Sequence, residues 1–227
     1  MPSRRVRQLE ARIRELDYTL LLPQPVSPAV PQPPSRKEQD RIRAFIVLAH
    51  AELEHCIEDL ALDAATRMVT SWKIDHVPRH VLQGLLSQAD PKDLSDSWYM
   101  HAADFRYENV AQKFARVVDE NMGIVPRNVL KLLVSIGIPR SEIDDVWLTE
   151  LKEFGSERGL IAHRSVAAAK MLPDAGRARA RVGLILAGLR LIDDSLRRLR
   201  RRRANLRTFN AFDGALMARH EILRRLS

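Results

Sequence analysis

Between Ser35 and about Trp72 the chain reads as one uninterrupted helical frame, and a helix of that length dictates what can be built around it. Apolar residues recur at three- and four-residue steps: Ile42, Phe45, Ile46, Ala49, Leu53, Cys56, Ile57, Leu60, Ala64 and Met68. That period describes a helix with one buried stripe. Ser35, with Glu38 three residues later, forms a capping box at its start. A helix this long in a small protein is the spine of a bundle, so its neighbours must lay their own apolar stripes against it.

The rest of the chain supplies such neighbours. Val6, Leu9, Ile13, Leu16 and Leu20 predict a helix over 3–22. Pro23, Pro25, Pro28, Pro31, Pro33 and Pro34 then forbid helix and imply an extended, semi-rigid spacer. Further helices are expected over 77–89, 102–121 and 125–136, the last stopped by Gly137 and Pro139. Another is expected from Ser141 to about Val166 with an interruption near Gly155, then a long one capped by Asp174 and a short one over 209–225. Nine glycines and 5% aromatic residues are too few for the turns and strands of an all-β protein. The expected class is all-α, a helical bundle with an N-terminal helical appendage. The expected division is an N-terminal helix at 1–22, a proline-rich linker at 23–35, the bundle at 36–204 and a helical tail at 205–227. The first helix packs on the bundle or on a partner.

Composition narrows the partners. The formal charge of +8 favours polyanions, without separating nucleic acid from an acidic protein or a membrane surface. Cys56 is the single cysteine, which excludes an internal disulfide and fits a reducing cytoplasm. Its place on the apolar stripe makes it a small core residue rather than a catalytic thiol. No run approaches the roughly 20 apolar residues of a membrane span, so no membrane association is expected. The basic start Met1-Pro2-Ser3-Arg4-Arg5 leads straight into an amphipathic segment and is not a secretory signal.

One hexapeptide carries chemistry: Arg158-Gly159-Leu160-Ile161-Ala162-His163. A guanidinium can bind the non-bridging oxygens of a phosphodiester bidentately. An imidazole can move a proton near neutral pH. A structural alternative stands beside this: Arg158 and His163 pair with acidic neighbours such as Glu153 or Glu157. Other candidates are weaker. His50 with Glu54, and His55 with Asp59, sit one helical turn apart, which suits solvated ion pairs better than an incomplete metal site. The chain has no Walker A loop, no GxGxxG and no nucleophile elbow.

The long helix FIVLAHAELEHCIEDLALDAA (Phe45 to Ala65), followed about 100 residues later by SERGLIAHRS (Ser156 to Ser165), resembles the HEPN superfamily of all-helical nucleotide-binding and ribonuclease domains. Over roughly residues 36–203 it looks most like the RiboL-PSP type. The resemblance implies a metal-independent endoribonuclease that needs no cofactor. Two copies of an arginine–x4–6–histidine motif would meet in one cleft of a homodimer. Arg158 matches the motif arginine and His163 the motif histidine, with Glu54, or failing that Glu52, as the acidic residue of the first long helix. Where the family commonly has a small polar residue after the arginine, this chain has Gly159. The expected product is a 2′,3′-cyclic phosphate, and DNA, lacking the 2′-OH, should resist cleavage. The setting implied is cytoplasmic toxin–antitoxin or antiviral defence. A non-catalytic HEPN module binding RNA, a nucleotide or a protein partner is the alternative, with Gly159 marking the lost activity.

Arg197, Arg198, Arg200, Arg201, Arg202 and Arg203, with Arg164 beside the motif, are the expected RNA-binding residues. The run also reads as a charged helix end favourable to the helix dipole, or as a dock for an acidic antitoxin-like protein.

Overall fold

The structure is a computed structural model that describes residues 1–21, 35–75, 80–87, 102–163 and 175–201. Seven α-helices and no strand occur among the described residues, so the class is all-α. They are α1 (Arg4–Leu16), α2 (Arg36–Asp75), α3 (His80–Ser87), α4 (Ala102–Asp119), α5 (Pro126–Ser135), α6 (Asp145–His163) and α7 (Ala175–Arg201). A π-helical turn, Asp17–Leu21, follows α1, and a 3-10 turn, Arg140–Glu142, precedes α6. The prolines of the spacer, the cap at Asp174 and the tail at 205–227 lie outside the described residues.

The chain forms two compact units, Met1–Ile57 with Met122–Asn128 and Ile143–Asp193, and Glu58–Asn121 with Val129–Glu142 and Asp194–Ser227. In the first unit, α1 presents Val6, Leu9, Ile13 and Leu16 as a buried stripe. Ser3 caps it, its hydroxyl accepting from the Val6 amide at 3.4 Å. The same residue's own N–H donates to Asp193 of α7, which is buried, at 2.7 Å. Arg190 of α7 reaches Glu10 at 2.6 Å, and Arg12 reaches Glu52 of α2 at 3.1 Å. Arg179 binds Asp17 and the Leu21 carbonyl. The first helix is thus tied to α2 and α7 of its own unit.

At the start of α2, Ser35 and Glu38 form the reciprocal capping box, the Ser35 hydroxyl accepting from the Glu38 amide at 3.3 Å. Its hydrogen bonds to Ser35 hold the Glu38 carboxyl below the usual range. The start of α6 departs from expectation. It begins at Asp145 rather than Ser141, and Asp144 caps it, accepting from the amides of Val146 (2.6 Å) and Trp147 (3.2 Å). The helix also runs through Gly155 without a break, because Leu151 and Phe154 beside it are fully buried and packing outweighs the glycine. Trp147 donates its indole N–H to the Ile185 carbonyl at 3.0 Å and lies across Gly188 of α7.

In the second unit, α5 ends in a Schellman motif. Gly137 adopts φ +86°, its amide bonding the Val134 carbonyl while the Ile138 amide bonds the Leu133 carbonyl. Gly84 of α3 packs against the Gly137 backbone, so close that a β-carbon at 84 would collide with it. Trp72 and Tyr107 meet edge to face, with centroids 4.7 Å apart.

Candidate functional site

The site forms in the first unit where α2 faces α6. The apolar stripe of α2 (Phe45, Ile46, Ala49, Leu53) turns His50 inward, and only 3% of it is exposed. Its ring packs at 5.9 Å from the buried ring of Phe154, and its Nε2 faces the backbone of α6 at Gly155. Its other nitrogen, Nδ1, lies 3.6 Å from the Glu54 carboxylate one turn along α2. The expectation of a solvated pair is therefore corrected: His50 is buried, because it shares the face that α2 presents to α6.

Glu54 is 22% exposed and also accepts the backbone N–H of Gly123. Gly123 holds φ +81° in the segment between α4 and α5, a left-handed conformation that favours glycine. That segment is closed by Asn128, whose side chain donates to the Met122 carbonyl at 2.7 Å. A carboxylate is thereby fixed between an imidazole and a backbone amide. Its alternative, Glu52, is engaged with Arg12.

Arg158 is half-buried and stands one turn beyond Phe154 and Gly155 on α6. Its charge is felt at His50. Burial holds that imidazole below its ordinary value, Glu54 pulls it back up, and Arg158 pushes it down again. Of the carboxylates that could have neutralised Arg158, Glu157 is taken by Arg181 of α7 at 3.0 Å, the same guanidinium reaching Glu150 at 3.2 Å. Burial raises the Glu157 carboxyl, with Arg181 opposing. Among the described residues no carboxylate forms an ion pair with Arg158. The main chain of α6 is helical up to His163, while the His163 side chain and Arg164 lie outside the described residues.

Among the described residues nothing lies within 4 Å of where a β-carbon of Gly159 would stand. Gly159→Ala is therefore expected to stabilise the protein by about 0.5–1 kcal/mol, the ordinary helical cost of glycine. A chemical denaturation midpoint measures this. Gly159→Asn restores the polar group common in the family, and its β-carbon meets nothing among the described residues, so its cleavage rate reports whether that group matters.

In the second unit most of the described arginines near the end of α7 are already engaged. Arg197 pairs with Asp194, Arg198 with Glu142 (3.2 Å) and Ser195 (2.6 Å), and Arg200 with Asp63 of α2 (2.9 Å). Arg201 is exposed and lines a recess with Asp194, Arg197 and Arg198. Arg202 and Arg203 lie outside the described residues. Among the described residues no three His, Cys, Asp or Glu side chains gather as a metal site. No helix among them is long and apolar enough to cross a membrane.

The reading from residues alone missed the Gly123 amide and the burial of His50. The i, i+4 spacing of His50 and Glu54 was the available signal, but not which way the pair faces.

Comparison with known proteins places the chain in a family. A family model described as RiboL-PSP-HEPN matches residues 7–195, beginning inside α1 rather than at α2. Among curated proteins and solved structures none matches.

Proposed function

The chain belongs to the RiboL-PSP-HEPN family, and on that premise we propose that it is a metal-independent endoribonuclease acting as a homodimer. Arg158 binds the scissile phosphate and stabilises the charge of the phosphorane. One His163 takes the proton of the 2′-OH as its oxygen bonds to phosphorus. The P–O5′ bond breaks, and the imidazolium of a second His163, from the partner copy, protonates the leaving oxygen. The products are a 2′,3′-cyclic phosphate and a 5′-OH. Glu54, fixed by the Gly123 amide, borders the site.

The observation that carries this reading is the state of Arg158: half-buried, its charge acting on the buried His50 that faces Glu54, with Glu157 bound elsewhere. A cation held this way suits an anionic ligand. The second copy follows from helix geometry. A five-residue step turns side chains about 140° apart and advances about 7.5 Å, so one α6 cannot aim Arg158 and His163 squarely at one phosphate.

α7 offers a face for that copy. Ala180, Leu184, Ala187 and Leu191 are exposed at 4-3-4 spacing, the seam of a helix pair. Leu184→Glu with Leu191→Glu is expected to convert dimer to monomer in light scattering and to abolish cleavage. A variant that is still dimeric moves the interface elsewhere.

The test of function is RNA incubated with the protein in EDTA. Cleavage by wild type to cyclic-phosphate ends, lost in Arg158→Ala and in His163→Ala, supports the enzyme; equal activity in all three removes the assigned site. Binding without cleavage supports the second reading, a non-catalytic RNA- or partner-binding module, which the missing side chain at Gly159 favours. The wider setting we propose is cytoplasmic toxin–antitoxin or antiviral defence. The exposed Arg201, with Arg164, Arg202 and Arg203, would take RNA phosphates or an acidic antitoxin-like partner.

A further inference from the structure

His50 has no part in the reaction just described, yet it is the most deeply buried titratable group at the site. Two helices meet at it, and a third element braces their groups. Its own helix brings Glu54, whose carboxylate lies 3.6 Å from Nδ1. α6 brings Phe154 and Gly155 against the ring, with Arg158 next on the same face. The 122–125 segment brings no charge. It supplies the Gly123 amide to Glu54, and Val125 packs beside Gly155. Among the described residues, the charged groups acting on the imidazole are therefore Glu54, which favours its cation, and Arg158, which opposes it.

We propose that His50 is a positioning residue that takes up a proton when an anion binds Arg158, and then grips Glu54 as an ion pair. In the empty site the imidazole is neutral, and Glu54 is held chiefly by the Gly123 amide. A phosphate on Arg158 cancels the charge that, among the described residues, adds to burial in opposing the imidazolium. The proton comes from solvent, Nδ1–H and Nε2–H are then both present, and the Glu54 carboxylate gains a charge-assisted hydrogen bond. Ligand binding on α6 thus tightens a contact internal to α2, and the site becomes more ordered when loaded than when empty. By linkage the coupling is reciprocal, so the anion binds more tightly as pH falls through the His50 titration.

This inference rests on the RNA reading only for the identity of the anion, and its test is separable. The Cε1–H resonance of His50, assigned by triple resonance in the full chain, is titrated against pH by NMR. In wild type the midpoint lies below that of an ordinary histidine. Arg158→Ala is expected to raise it, and Glu54→Gln to lower it. A dT oligonucleotide, which carries phosphates but no 2′-OH, is expected to raise it in wild type and leave it unmoved in Arg158→Ala. A midpoint indifferent to Arg158→Ala, or to the oligonucleotide, overturns the proposal. Coupling that holds while wild type fails to cleave RNA removes the ribonuclease and leaves the coupling standing.

Discussion

Arg158→Ala is expected to reduce RNA cleavage by about 10²–10³-fold, the usual cost of losing one preorganised stabiliser of transition-state charge. The loss should fall mainly on kcat, since the guanidinium gains most as charge accumulates on the phosphorane. Stability should barely move. No carboxylate among the described residues pairs with Arg158, and its charge opposes the cation of His50, so removing it breaks no favourable ion pair there. A melting curve unchanged beside a collapsed rate is the combined signature. Arg158→Lys keeps the charge but loses the bidentate fork, and should recover only part of the activity. An end-labelled RNA assay in EDTA reads both variants. Full activity in Arg158→Ala would take the residue out of the site.

The largest stability effect is expected at a position remote from the chemistry. Gly188→Ala places a methyl group on α7 where the Trp147 indole already lies, with the ring's Cγ and Nε1 only 2.5 Å from the new β-carbon. Neither side can yield cheaply. The indole is buried and held by its bond to the Ile185 carbonyl at 3.0 Å, one turn earlier on the same helix. Overpacking of this kind costs about 1–3 kcal/mol, more than the helix propensity that alanine contributes. For a chain of this size the melting temperature should fall by about 2–4 °C per kcal/mol. The contrast with Gly159→Ala makes the test internal: the same substitution in two helices, with opposite signs set by what stands opposite each Cα. If both variants stabilise, α6 and α7 do not approach through Trp147.

The helices themselves were legible because their signals are local. The stripe from Ile42 to Met68 required α2, and the capping box at Ser35 was readable from two residues. Boundaries that depend on a competition were not. Ser141 and Asp144 can both cap α6, and Asp144 does so, while Glu142 beside Ser141 binds Ser195 and Arg198 of α7. The expected break at Gly155 is absent because the neighbouring Phe154 is fully buried, and no local rule weighs that packing against one glycine.

The arginines of α7 show the same limit. Six cations in seven positions are visible on inspection, but their partners are distant in the chain: Asp63 lies 137 residues before Arg200, and Glu142 lies 56 before Arg198. These contacts turn Arg198 and Arg200 from part of a basic stripe into ties to other elements of their own unit.

By itself, then, the sequence determined the all-α class and the long spine, and it singled out Arg158, His163 and Glu54 as the groups to examine. Periodicity, caps and a short motif are properties of neighbouring residues. Only the tertiary structure decided that His50 is buried against Phe154, that Gly123 anchors Glu54, and that Arg181 rather than Arg158 neutralises Glu157. Burial and charge pairing depend on which helix faces meet, and that is a property of the folded chain rather than of any one segment.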